Sequence, residues 1–232
     1  MAGRTLRIGG IEPFSTVDFP GRLATVLFCQ GCPLKCGYCH NPGLIPADSG
    51  QSIGFAEALS ALNARSGFID AVVFSGGEPL AQSALRDAID AVHALGLATA
   101  LHTAGTAPGL FAALLDRLDW VGFDVKAPFD DYGPVTSVGA AGRKALQSLE
   151  HLLASGVAHE VRTTVWPDRI GTGELDRIAF ALEQVGVSRF VLQECRGPDR
   201  SVWPGPSPLD DTVFMTELSS RFDEFEVRRA QN

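Results

Sequence analysis

Short apolar runs rich in β-branched residues recur along the chain. They begin at Leu23 (LATVLFC), Ala71 (AVVFSGG), Leu97 (LATALHT), Trp120 (WVGFDVK), Glu160 (EVRTTVW) and Arg189 (RFVLQE). Between them, over 55–65, 81–95, 144–154 and 174–185, apolar residues return at the spacing of amphipathic helices. Strands that are apolar almost throughout are covered on both faces, so the alternation predicts parallel βαβ units. Six such units suit either an open doubly wound α/β sheet or an incomplete barrel. A complete eight-unit barrel takes about 250 residues, and this chain has 232. The Pro/Gly-rich stretch 196–208 predicts a long loop before a last helix, and EFEVRRA a closing edge strand. With no linker or low-complexity stretch, residues 1–232 read as a single domain, with its core at about 20–195.

Composition narrows the function classes. The apolar share of 45% and the charged share of 20% are those of a globular domain. A net charge of −8, without a dense Lys/Arg run, disfavours a nucleic-acid partner, whose affinity rests on clustered cations. No run approaches the roughly 20 apolar residues that span a bilayer, and MAGRTLRIGG has no apolar signal core. The expectation is a cytoplasmic protein without a membrane partner.

Cysteine changes the picture. Four of the five fall between Cys29 and Cys39, in CQGCPLKCGYCHNP directly after the first expected strand. Clustering of this kind points to metal rather than to disulfides, which staple distant loops. Cys32-x3-Cys36-x2-Cys39 offers three soft thiolates in one loop, as an iron–sulfur cluster requires. A four-iron cube would keep one iron free of protein ligands, unless Cys29 or Cys195 closed it. Gly31 and Gly37 would let the backbone bend close to inorganic sulfide. The alternative is structural zinc on Cys29-x2-Cys32 and Cys36-x2-Cys39, although three residues between the pairs leave little room for a closed four-thiolate site.

Both architectures gather their chemistry at the C-terminal ends of the strands, and the other strand ends carry candidates. The second run ends in Gly76-Gly77-Glu78, where glycines admit a close ligand and the carboxylate can accept from an ammonium. The third ends in His102-Thr103-Ala104-Gly105. The fourth ends in FDVKAP, whose Asp124 and Lys126 share a face by the period of two. Arg162, Thr164 and Gln193 are polar positions on the last two runs.

The string FCQGCPLKCGYCHNP resembles the signature of radical S-adenosylmethionine (SAM) enzymes, in the form found in glycyl-radical-enzyme activating enzymes. FSTVDFPGRLATVLF is similar to the Ser-x-x-Asp-Tyr-Pro-Gly lead of the branch described as activating an anaerobic ribonucleotide reductase, with Phe19 for Tyr. The resemblance covers about residues 9–196. It implies a partial (β/α)6, TIM-like barrel of parallel strands carrying one [4Fe–4S] cluster on Cys32, Cys36 and Cys39. It further implies SAM on the open iron, cleaved to a 5′-deoxyadenosyl radical, with Tyr38 against the adenine and Gly76, Gly77 and Glu78 at the amino group. Asp124 and Lys126 match an Asp-x-Lys of the same enzymes, the Lys meeting the carboxylate or ribose, and Arg162 is a further cofactor contact. Where those enzymes commonly carry Asp-Thr-Asn-Gly, this chain has His102 and Ala104 in place of Asp and Asn, and His102 is either a cofactor contact, hydrogen-bonded to the SAM ribose, or a satisfied strand-end histidine. The implied partners are a glycyl radical enzyme and a flavodoxin or ferredoxin electron donor. A radical SAM enzyme acting on a small molecule or peptide would share every cluster motif.

Overall fold

The computed structural model describes residues 5–48, 50, 52–197, 203 and 205–230. In chain order its elements begin with β1 (Arg7–Ser15), β2 (Ala24–Cys29), the two-residue β3 (Ile53–Gly54), α1 (Phe55–Asn63), β4 (Ala71–Gly76) and α2 (Leu85–His93). There follow β5 (Ala98–Thr103), α3 (Pro108–Ala112), β6 (Trp120–Asp124), α4 (Gly133–Thr136), α5 (Ala141–Ser155) and β7 (His159–Val165). The chain closes with α6 (Thr172–Gln184), β8 (Arg189–Glu194), α7 (Thr212–Ser219) and β9 (Glu224–Arg228).

One sheet runs β3-β1-β2-β4-β5-β6-β7-β8-β9. From β2 through β9 every neighbouring pair is parallel, whereas β1 is antiparallel to both β2 and β3. The six expected strands are all present, and β9 joins them in parallel beside β8. The sheet does not close, as a partial barrel requires. An N-terminal strand was not expected. RIGGIEPFS hides its period behind two glycines and a proline, and at the sheet's margin β1 is apolar on only part of one face. The 196–208 loop lies in large part outside the described residues. Among the described residues no helix is long and apolar enough to cross a membrane.

The two faces of the sheet have different chemistry. Outward, Leu27, Val72, Phe74, Leu101, Val121, Phe123, Val161 and Phe190 bury against helix residues such as Leu85, Ile89, Leu149, Leu152, Ile178 and Leu182. Inward, Ala24, Val26, Ala71, Val73 and Ala100 form a second apolar group with Phe19 and Trp120. The small inner residues leave space that Phe19 fills, its ring stacked on Trp120 at 5.9 Å. Phe19 of the VDFPG segment is therefore a plug inside the lumen, whereas Val17, Pro20 and Gly21 beside it are exposed. From β6 onward the inner face turns charged, through Asp124, Glu160 and Arg162.

Candidate functional site

The cysteine loop leaves β2 at Cys29 and is pinned before its first candidate ligand. Gln30 is buried, and its side-chain amide donates to the carbonyls of Gly43 (3.0 Å) and Pro46 (2.6 Å). Gln82 donates to the carbonyls of Gln30 (3.1 Å) and Arg7 (3.0 Å) and accepts from the Arg7 amide (2.8 Å). Two glutamines thus tie β1, the cysteine loop and the segment after β4 together. The Gly77 and Glu78 amides donate to the carbonyls of Cys29 and Gly31, both at 2.9 Å. Gly76 has φ +100°, and a Cβ there would stand 2.7 Å from the Cys29 nitrogen. A Cβ on Gly77 would run into the Gly31 carbonyl. The glycine pair is thus required by the approach of the two loops, whatever ligand lies above them.

A cavity of about 240 Å³ opens over these strand ends. It is lined by Cys32, Cys36, Tyr38, Cys39, Gly76, Gly77, Glu78, His102, Asp124, Lys126 and Thr164, so residues from the ends of β2, β4, β5, β6 and β7 converge. Arg162 stands behind Asp124 and does not line it, nor does Gln193. Sequence reasoning missed Asn41 and Ser75 among the lining residues, whereas Thr103 and Ala104, named beside His102, do line it. The two missed residues sit one or two positions from a residue it did single out. The Gln30–Gln82 pairing had no local signal, because it joins residues 52 positions apart.

The three cysteines of the loop face the cavity half-buried, whereas Cys29 and Cys195 are buried in the fold. Burial pushes the Cys32 thiol up to about 12 and raises Cys36, and in both the Lys126 ammonium acts the other way. A metal would supply the remaining stabilisation, since coordinating thiols are deprotonated outright. With Cys29 packed at the strand end, the paired CxxC zinc arrangement lacks its first ligand. No three His, Cys, Asp or Glu side chains among the described residues converge on the space of one ion. Three thiols of one loop on a shared cavity are a donor set that suits a cluster, in which each thiolate takes its own iron. Gly37 answers to a different constraint from the one expected. A Cβ there would run into the Trp166 ring, which also meets Tyr38 edge-on at 5.9 Å.

Glu78 is buried, and its carboxylate already accepts from Thr103 Oγ1 (2.6 Å), the Ala104 amide (2.9 Å) and the Leu80 amide (3.1 Å). Burial raises its pKa, against the lowering effect of these donors. Its evident work is to brace the loop after β4 against the end of β5.

His102 meets the lumen plug. Its Nε2 lies 2.8 Å from the Asp18 carbonyl, which can only accept, so that nitrogen carries the proton. Nδ1 is left to accept from Ser75 Oγ at 3.4 Å. Burial, and then Arg162, lower its pKa to about 4, so the ring is neutral near pH 7.

Asp124 takes Arg162 Nε at 2.8 Å and Lys126 Nζ at 3.1 Å. Burial alone would raise its pKa, but Arg162 and Lys126 outweigh that and hold it well below the usual carboxylate range. Lys126, desolvated but facing Asp124, Tyr38 and Cys36, is held well above its ordinary value and lies 5.9 Å from the Tyr38 ring centroid. The cavity therefore presents thiols on one wall, a fixed cation on another and glycine backbone at its base. That arrangement can take a polar, partly anionic ligand beside a metal cluster.

Residues 26–169 match the family model of the radical SAM superfamily. The chain is 38% identical to a pyruvate formate-lyase-activating enzyme of Clostridium pasteurianum, over 59% of this chain and 59% of that protein. It is 30% identical, over 83% of its own length and 81% of the other's, to a Methanocaldococcus jannaschii protein provisionally named a glycyl-radical enzyme activating enzyme. In fold it is similar to Streptococcus suis SuiB, solved with S-adenosylmethionine bound, at a TM-score of 0.66 and 12% identity. That likeness covers 86% of this chain and 48% of SuiB. The chain thus spans about three fifths of the Clostridium relative and half of SuiB. The match of the family model and the glycyl-radical relatives agree with the cysteine loop, and the chain belongs to the radical SAM superfamily, with the activating enzymes of glycyl radical proteins as its relatives.

Proposed function

We propose that this chain installs a radical on a backbone glycine of a separate protein, using one [4Fe–4S] cluster and SAM. The observation that carries the reading is the convergence of Cys32, Cys36 and Cys39 with Lys126 and the Gly76–Gly77 backbone on one cavity. Cys32, Cys36 and Cys39 would hold three irons of the cluster and leave the fourth to SAM. Held there and reduced by a flavodoxin or ferredoxin, the cluster would supply SAM with the one electron that divides it into methionine and a 5′-deoxyadenosyl radical.

The chain's own residues bind, orient and exclude water. The Lys126 ammonium meets the carboxylate or ribose of SAM, and Asp124 with Arg162 fixes where that ammonium stands. Gly76 and Gly77 let the amino group approach the backbone, in a loop that Glu78 holds rigid. Tyr38, backed by Trp166, packs against the adenine. His102, neutral, offers no charge to the sulfonium or to the nucleoside. Two of the five cysteines are buried in the fold, and a reducing, cytoplasmic compartment suits them.

The test mixes the reduced protein, SAM and candidate glycyl radical proteins of the same genome without oxygen. A protein-centred glycyl radical in the electron paramagnetic resonance spectrum, with deoxyadenosine formed in step, is expected. Deoxyadenosine without that signal across all candidates would transfer the reading to a small-molecule or peptide substrate.

A further inference from the structure

The inner face of β7 carries Glu160, Arg162 and Thr164 in alternation, and only Thr164 reaches the cavity. Glu160 lies deeper, its side chain 2% exposed. Arg228, on the edge strand β9, grips it with both terminal nitrogens, Nη1 to Oε1 at 2.7 Å and Nη2 to Oε2 at 2.9 Å. Arg189 Nη2 stands 3.5 Å from Glu160 Oε2. Arg162 Nη1 is 3.9 Å from Glu160 Oε1, whereas its Nε is 2.8 Å from Asp124. Across the lumen the signs therefore alternate: Arg228, Glu160, Arg162, Asp124, Lys126. Only the last two line the cavity.

We infer that Arg228 is a positioning residue for the cavity: by saturating Glu160 it leaves Arg162 to Asp124, and so sets how tightly Asp124 holds Lys126. The inference rests on the reading of the cavity as a SAM site. A buried carboxylate that loses its partner is strongly destabilised and draws on the cations within reach. Arg189, the nearer at 3.5 Å, is already held by Glu224 at 2.6 Å and Glu226 at 3.6 Å; Arg162 is the other cation within reach, and a small movement of its guanidinium carries it from Asp124 to Glu160. Asp124, stripped of that partner, then closes on Lys126 and withdraws the ammonium from the ligand.

Two features make the arrangement specific. Gly122 leaves the space in which the guanidinium lies, since a Cβ there would stand 2.7 Å from Arg162 Cζ. Glu226 also holds Arg228, through Nε at 2.9 Å and Nη2 at 3.0 Å, so the edge strand fixes the head of the chain of charges.

The experiment measures SAM affinity by equilibrium dialysis of the anaerobically reconstituted full chain, with the unfolding midpoint recorded alongside. Arg228→Met is expected to raise Kd about tenfold, equivalent to ~1.4 kcal/mol. The double variant Glu160→Gln/Arg228→Met is expected to return to within about threefold of the parent, because a neutral amide no longer competes for Arg162. A merely structural role for Arg228 would leave the double variant no better than Arg228→Met. That result, or an unchanged Kd in Arg228→Met, overturns the inference. Should Arg228→Met not fold, Arg228→Lys keeps the charge with a single hydrogen bond; a threefold rise reversed by Glu160→Gln is expected, and no rise overturns the inference. A parent protein that binds no SAM would defeat the site reading itself, whereas normal binding with an insensitive Arg228→Met defeats this inference alone.

Discussion

Glu78 Oε1 accepts a 2.6 Å hydrogen bond from the Thr103 hydroxyl, and through it the loop after β4 is fastened to the end of β5. Removing this carboxylate strands the Ala104 and Leu80 amides as well. A buried donor left unsatisfied costs about 1–3 kcal/mol. Glu78→Ala is therefore expected to lower stability by at least ~2 kcal/mol, an amount that urea unfolding resolves. Burial raises the folded pKa of Glu78 above its ordinary 4.5. Between those two values the folded protein keeps the proton that the unfolded chain has released, so stability falls as pH rises through that window. Glu78→Gln should flatten that slope, and an undiminished slope in this variant would assign it to another group.

The cysteines separate by burial, and their variants should separate likewise. Cys32→Ala, Cys36→Ala and Cys39→Ala are expected to abolish the brown chromophore and the iron of the anaerobically reconstituted protein. Cys29→Ala and Cys195→Ala should retain about four irons per chain, the content of a single cube. Loss of iron in Cys29→Ala, with Cys36→Ala unaffected, would overturn the ligand assignment.

Strands β2, β4, β5 and β6 were legible because each is a largely apolar run, and the cysteine loop because its residues are close in sequence. The candidate residues at the ends of β4, β5 and β6 were legible for the same reason, each following an apolar run directly. What stayed hidden was long-range. Nothing near Gln30 announces Gln82, and nothing near Arg162 announces that Gly122, on the adjacent strand, makes its space. The VDFPG segment reads as a motif, yet the place of its Phe19 inside the lumen follows from small residues on three other strands. β1 was obscured by its glycines and by its marginal position.

Gly37 illustrates how the sequence can point to the right residue for a different reason. Its constraint is the Trp166 ring, which a Cβ would meet head-on. Gly37→Ala is expected to destabilise by about 1–3 kcal/mol, the usual cost of overpacking, and to loosen the loop between Cys36 and Cys39. Trp166→Leu should recover most of that loss when combined with it. If the double variant is no better than Gly37→Ala, the glycine is instead needed for the cluster.

His102 and the Asp18 carbonyl give the final prediction, because the contact fixes both a tautomer and a pH dependence. Nε2–H donates to that carbonyl, and the imidazole is enclosed by Trp120, whose ring centroid is 5.6 Å away. A second proton on the ring would have to be accommodated beside Arg162 and away from water. The folded pKa is accordingly lowered to about 4, below the ordinary 6.5. Between those values the unfolded chain binds a proton that the folded protein does not. Stability therefore rises with pH across the window and is lost as pH falls from 6.5 toward 4. His102→Gln, whose amide nitrogen can take the place of Nε2, should keep the hydrogen bond to Asp18 and remove this portion of the acid sensitivity. Urea midpoints recorded from pH 4 to 7 would compare the two proteins. A parent midpoint that is flat over that range would mean that the ring is reached by water, and that the plug formed by Asp18 and Phe19 does not seal the lumen beneath the cavity.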